Sequence, residues 1–338
     1  MNRELARKVA DSVLYEGYML YPYRPSALKN RQRWSFGILY PSAYPEVALG
    51  TERNSLHAEC FVEASANAVI HVQLRFLHLF SRQYAAVVDG VSEPVPSLFV
   101  DDQRFDSWDE PIERSVEFPV SILATVQQHR FSFPASLNSE PMLDRQGQLA
   151  GTVTRTQREV TGLVSVTTQF VREGLIKFAL DVTNTTAMPE PPANRDAALL
   201  RSLLSAHAIL SATEAQFVSL LDPPAELQDA TAALRNLGNF PVLVGFPPER
   251  DMMLCSPIVL YDHPQIAPES ASDFFDSTEM DEMLTLRVLT LTDSEQSQML
   301  RADDRLRDLL QRTQHSAREQ LSRTHGIFRS IDPTQGHH

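Results

Sequence analysis

The densest run of side chains able to hold a metal or a proton lies at 261–282, YDHPQIAPESASDFFDSTEMDE. It carries His263 and the carboxylates Asp262, Glu269, Asp273, Asp276, Glu279, Asp281 and Glu282. Hard cations take oxygen ligands, and a borderline metal adds imidazole. Asp262, His263, Glu269 and Asp273 are therefore the candidate ligands of a divalent metal, although their spacing matches neither an EF-hand nor HExxH. Each carboxylate also has a use without a metal. Asp262 suits an Asx-turn, Asp276 a helix N-cap, and Glu279 a first helical turn, where the dipole favours negative charge. Asp281 and Glu282 suit a solvated face. Tyr261, Asp262 and His263, stiffened by Pro264, also form an exposed turn fit for recognition of a partner.

Other candidates are weaker. His57-x-x-Cys60 has metal-like spacing, but residues three apart on a strand face opposite ways. Cys60 falls on the apolar face, where a free thiol behaves as a small hydrophobe. His71 and His78 are likewise on opposite faces of one strand, with His78 expected to be a core or strand-end histidine. Cys255 needs a nearby base to become a nucleophile, and His263 stands more than about 20 Å away along a straight strand. There is no GxGxxG, GxxxxGK[ST] or GxSxG, and only 12 glycines are present to build phosphate-cradling loops. No catalytic set stands out. One basic-aromatic patch does. Tyr21, Tyr23 and Trp34 interleave with Arg24, Lys29 and Arg31, a combination suited to an anion, an acidic protein segment or the chain's own acidic neighbours.

The bulk numbers narrow the partners. The chain has 338 residues, with 30 Lys+Arg against 43 Asp+Glu and a formal net charge of -13. Such an acidic balance argues against nonspecific nucleic-acid binding and against docking on anionic membranes. No apolar stretch reaches the roughly 18 residues of a spanning helix, and the N-terminus has no secretory pattern. The 2 cysteines give neither a disulfide framework nor a CxxC signature. A cytoplasmic location is the expectation. The closing Gly336-His337-His338 is left out of metal arguments.

The elements that must position these residues are read from periodicity. Residues 3–16 fit a short amphipathic helix, and Trp34–Tyr40 a strand. From about 55 to 186 the pattern has period two. Leu56, Ala58, Cys60 and Val62 share one face, as do Ile70, Val72, Leu74, Phe76 and His78, and as do Ile176, Phe178, Leu180 and Val182. The region 91–150 reads as loops and shorter strands. MPEPPANR at 188–195 reads as a linker or exposed turn. After it, Leu199 to Leu210 fit a broad helical face, and a proline-led helix follows near Pro224. FPVLVG and MLCSPIVLY are short strands. Met280 to Leu291 forms a helical stripe, and Thr292-x-x-Glu295 is a capping box opening a long helix over about 294–324. The expected fold is α+β. A sandwich-like antiparallel β-rich part at 1–187 precedes a mixed, largely helical part at 196–338.

Five long strings add a resemblance. They are VLYEGYMLYPYRPSALKNRQRWSFGILYP at 13–41, HAECFVE at 57–63, VQLRFLHLFSR at 72–82, VSLLDPPAELQDATAALRNLGNFPVLVG at 218–245, and the stretch from Ser256 to Glu295. Together they resemble a family of uncharacterised bacterial proteins whose genes accompany uptake nickel–iron hydrogenases. The likeness covers most of the chain, apart from 90–170 and the last turns. Cys255 stands where serine is common in that family, and Leu237-Gly238-Asn239 replaces a more polar string. The resemblance implies an accessory, assembly or maturation protein that binds a hydrogenase subunit or another maturation factor. Its expected contact residues are Tyr21, Tyr23, Arg24, Lys29, Arg31 and Trp34 together with Tyr261, Asp262 and His263. It carries no cofactor or catalytic residues. Two alternatives stay open: a metal-binding protein or metal-dependent enzyme using the Asp262/His263 region, and a structural subunit of a hydrogenase-associated complex.

Overall fold

The computed structural model describes residues 2–15, 36–88, 90–188, 190–265, 284, 287–302 and 305–313. The chain divides into two compact units, Met1–Tyr18 with Gln32–Ile266 and Met19–Arg31 with Ala267–His338. The first unit is mostly β and is built on one large antiparallel sheet.

The organising element is β1, Ser55–Val88, whose period-two pattern runs for 34 residues. Strands β2 (Val91–Val95), β5 (Trp108–Ser121), β8 (Leu149–Gln157), β10 (Leu175–Asn184) and β11 (Leu204–Phe217) all pair with it. One edge of β1 is taken by β10 from Ser55 to Glu63 and by β5 from Val69 to Arg82. The other is taken by β11 from Val62 to Leu77 and by β8 from Phe80 to Ala86. The sheet continues outward through β9 (Val160–Arg172) and β6 (Val126–Phe133) on one side, and through β13 (Met252–Ser256) and β12 (Phe240–Leu243) on the other.

One face of this sheet forms the main core. Leu56, Ala58, Cys60, Val62, Ile70, Val72, Leu74 and Phe76 of β1 meet Ile176, Phe178, Leu180 and Val182 of β10. Each buried Val, Leu, Ile or Phe side chain among them contributes about 1.5–3 kcal/mol by leaving water. The sheet curls over this core. Phe131 and Phe133 of β6 reach Phe76, with ring centroids 5.8 and 5.7 Å away. Gly162 of β9 lies opposite Phe131, whose ring occupies the space a Cβ would need. A smaller apolar cluster of Tyr84, Leu98, Val100 and Val153 holds the far end of β1 against β8 and the hairpin of β3 (Ser97–Val100) and β4 (Gln103–Asp106).

Two segments cover the opposite face. Helix α1, Asn2–Tyr15, lays Ala6, Val9, Ala10 and Val13 on Ile209, Val242, Met252 and Leu254. Its docking is fixed by Arg75 of β1, which donates to Asp11 at 2.5 Å. The segment 218–239 packs Val218, Leu227 and Leu234 on Phe61 and Leu175.

Several expectations change. The face at 199–210 is not helical: after the short helix α3, Arg195–Leu199, the chain becomes β11. Residues Leu204–Leu210 are buried on both sides, between the core and α1, so their apolar run has no strand alternation to read. Residues 190–194, within the expected linker or exposed turn, are largely exposed and precede α3 in the first unit. The proline-led helix shrinks to a 3-10 turn, Ala225–Leu227, and five residues of helix, Gln228–Ala232. In place of a strand at 34–40, the described part makes only an isolated bridge between Leu39 and Leu203. The C-terminal part is not clearly helical throughout. In the second unit, a helix occupies Asp293–Ala302, and Leu306, Leu309 and Leu310 are buried. The capping box is present: Thr292 N donates to Glu295 at 3.0 Å, and Glu295 N to the Thr292 hydroxyl at 3.3 Å. Of the stripe from Met280, only Leu284 and residues 287–291 fall within the described residues.

Candidate functional site

Strand β12 is the outermost strand on its side of the sheet, and an open edge is a template for pairing with another chain. The turn at 261–265 closes this one. Leu243 N donates to Asp262 Oδ1 at 2.8 Å, and His263 N donates to the Leu243 carbonyl at 2.8 Å. Pro241, the other outward-facing position of β12, has no N–H to offer. The second carboxylate oxygen of Asp262 accepts from the Ser219 hydroxyl at 2.5 Å. That hydroxyl in turn accepts from Leu221 N at 3.1 Å and Asp222 N at 2.8 Å. His263 takes a left-handed backbone, φ 52°, and its Nδ1 lies 3.1 Å from the Gly245 carbonyl. Asp262 and His263 thus satisfy backbone groups of 243–245 and the side-chain hydroxyl of Ser219.

Clamping this turn leaves its other side chains outside. Tyr261 is 85% exposed and Val259 73%, while the alternate residues Ile258 and Leu260 pack beneath α1. Phe246 and Phe240 are also exposed. Phe240 also lines a groove of about 500 Å³, together with Phe36, Thr51, Arg53, Arg195 and Pro257. The arrangement offers apolar and aromatic groups rimmed by charge, with main-chain hydrogen bonding already closed off along the strand edge.

The remaining predicted residues separate. Glu269 and Asp273 lie outside the described residues, as do Tyr21, Tyr23, Arg24, Lys29, Arg31 and Trp34. Among the described residues, no group of three or more His, Cys, Asp or Glu side chains is placed to hold a metal ion. No helix among them is long and apolar enough to cross a membrane.

His57 and Cys60 do face opposite ways. His57 bridges two carboxylates on the outer face: its Nδ1 lies 2.7 Å from Asp181 and its Nε2 3.3 Å from Glu59. Glu59 also accepts from Lys177 Nζ and from Arg235 N, both at 2.7 Å. Burial raises the Glu59 pKa, but the hydrogen bonds from Lys177, Arg235 and His57 outweigh it and leave a net lowering. Asn239 Nδ2 donates to the His57 carbonyl at 2.6 Å. The network pins the loop at 233–239 to the sheet.

Cys60 and Cys255 are both buried in the main core. Burial pushes the Cys255 thiol up to about 12 and the Cys60 thiol well above its usual value, so neither is a thiolate at neutral pH. His71 opens on the outer face into a groove of about 260 Å³, beside Arg3, Arg7, Gln73 and Glu117. His78 is enclosed on the inner face. The sequence reading missed Ser219 and the Arg75–Asp11 contact, because both depend on residues far along the chain.

No family model matches the sequence, and a search of curated proteins finds no match.

Proposed function

We propose that the protein is a cytoplasmic accessory factor that acts by binding another protein. A subunit or maturation factor of an uptake nickel–iron hydrogenase is the partner, and the curled sheet is a sandwich-like scaffold for the contact. The observation that carries the binding mode is the set of exposed apolar side chains at β12 and the segment that closes it, Phe240, Phe246, Val259 and Tyr261, with Phe36 and Phe240 lining the 500 Å³ groove. Aromatic anchors beside a groove, with charged groups at the rim, are the composition of recognition surfaces. The partner class rests on the likeness of the five sequence strings to hydrogenase-linked proteins. Asp262 and His263 serve this reading as the clamp that presents Tyr261, and not as metal ligands.

The test is affinity capture of the whole protein from a host expressing the hydrogenase. Wild type, Tyr261→Ala and Phe240→Asp are compared, with a gene deletion in parallel. Hydrogenase subunits should co-purify with wild type and be depleted with both variants, and the deletion should lower hydrogenase activity. Capture of no hydrogenase component, together with full activity in the deletion strain, would overturn the reading.

A further inference from the structure

Where β1 runs past Phe80, the sheet is widened by β8 and then by a last strand, β7 (Ser136–Leu143), which pairs with β8 alone. A tight turn joins the two. Gly147 N donates to the Asp144 carbonyl and Asp144 N to the Gln148 carbonyl, both at 2.9 Å. Asp144 thus turns its main chain toward β8. Main-chain groups alternate along a strand, so those of Met142, Glu140 and Asn138 also face β8, and those of Leu143, Pro141, Ser139 and Leu137 face outward. The irregularity of the pair lies on β8, where Ala150 is passed over between Leu149 and Gly151, so the alternation of β7 is unbroken. Ser139 and Thr154 are paired with their hydroxyls 3.1 Å apart, the close approach expected where two main chains turn away from each other. Pro141, which has no N–H, falls at an outward position and takes no bond from the pairing with β8.

Edge strands are commonly kept short, charged or covered. This one has 8 residues, and all but Met142 are exposed. Leu137 and Leu143 are 72% and 56% exposed, and Glu140 is the only charge on the strand. The outward N–H groups of Leu137 and Ser139 and the outward carbonyls of Leu137, Ser139 and Pro141 meet no other backbone group among the described residues. A strand exposed on both faces is held by its ladder alone, and a lone hairpin is marginal in water. One more strand on this edge would steady it. The residues of β7 say which strand fits. When β7 is set antiparallel to β7 of a second copy, with Ser139 opposite Ser139, Leu137 lies opposite Pro141 and Asn138 opposite Glu140. Apolar side chains then meet apolar ones, and an amide meets a carboxylate. Within one strand Asn138 Nδ2 already donates to Glu140 Oε1 at 2.9 Å, so the two groups share a face and suit each other. Centring the pair one residue on, at Glu140, would set two carboxylates opposite each other, which is unfavourable. Four main-chain bonds close the Ser139-centred pair: Ser139 N to the opposite Ser139 carbonyl, and Leu137 N to the opposite Pro141 carbonyl, each made in both directions. Each copy carries a formal charge of -13, so two copies meet most readily where charge is sparse.

We propose that β7 is the surface through which two copies of this chain associate, by antiparallel pairing of β7 with β7 about a two-fold axis at Ser139. The contact is isologous, so it closes at two copies and joins their sheets edge to edge. None of its residues lines the groove of Phe36 and Phe240, so the pairing is independent of the docking surface.

The experiment is sedimentation equilibrium of the whole protein from about 1 to 200 μM, the range in which a contact of a few main-chain bonds is populated. Wild type should pass from monomer to dimer and stop there. Ser139→Pro removes the two central bonds of the pair and leaves the ladder to β8 intact, since that N–H points outward. It should raise the dimer dissociation constant about tenfold or more, with an unchanged circular dichroism spectrum. Ser139→Cys provides a second readout that needs no proline. The two opposed Cα atoms lie about 5.5 Å apart in such a pair, within disulfide reach, so mild oxidation should cross-link the dimer. Leu137→Cys should not cross-link, because its two copies stand four residues, or about 13 Å, apart along the strands. The native Cys60 and Cys255 are buried and do not contribute. A wild-type protein that stays monomeric over the whole range overturns the proposal. So does Ser139→Pro dimerising like wild type, or equal cross-linking of the two cysteine variants. A monomer that loses hydrogenase capture on Ser139→Pro would give this edge to a strand of the other protein and also overturn it. Hydrogenase capture that fails while the dimer forms would remove the docking reading alone.

Discussion

His78 and His207 are both fully buried, on opposite faces of the sheet. Burial lowers each from the usual 6.5 to about 4, with the charge of Arg114 adding to the effect on His78 and that of Arg75 adding to the effect on His207. Both are neutral in the folded protein at pH 7. Between pH 6.5 and about 4 the unfolded chain binds protons that the folded chain refuses. Stability therefore rises with pH across that window and is lost as the pH falls through it, by up to about 3 kcal/mol per histidine. Urea melts from pH 7 to 4 should show the decline. His207→Gln, whose amide still donates to the Ser205 carbonyl, should remove about half of the slope. An unchanged slope would show that His207 does not carry it. From sequence, His207 was one position on an apolar stripe. Its burial, the main cause of its low pKa, comes with α1 lying over β11, and Arg75, its direct cross-strand neighbour, adds to the lowering.

At the scale of elements, the turn at 261–265 is what makes β12 an edge that does not pair. Asp262→Ala removes the acceptor for both Leu243 N and the Ser219 hydroxyl. It should cost about 1–3 kcal/mol, the penalty for leaving buried polar groups unpaired. It should also increase self-association, measured by light scattering at a temperature where the variant is still folded. Asp262→Asn keeps an oxygen for Leu243 N and an amide that can donate to Ser219, so it should fall between wild type and Asp262→Ala. Equal stability of all three would remove the clamp from the account. The residue types marked this stretch as a turn. They did not show that its acceptors serve Leu243 and Ser219, 19 and 43 positions back along the chain. The capping box at Thr292–Glu295 was legible for the opposite reason, since both halves of it lie within one helical turn.

Across the first unit, β1 gives five other strands an edge, β2, β5, β8, β10 and β11, and α1 with the segment 218–239 closes the outer face. Removing residues 2–15 uncovers Ile209, Val242, Met252 and Leu254. The truncated protein should bind a hydrophobic dye and aggregate, while retaining much of its β signal by circular dichroism. A truncation that neither binds dye nor aggregates would show that α1 is dispensable. The sequence by itself determined what depends on near neighbours: the alternation of β1 and β10, the amphipathic α1, the proline-stiffened turn and the capping box. Tertiary structure decided what depends on which surfaces meet. It made 204–217 a strand, because that run is covered on both faces and paired on both edges. It gave Asp262 and His263 backbone partners in β12. It also set Arg114 diagonally across from His78, since cross-strand register, and not spacing along the chain, sets which side chains share a face.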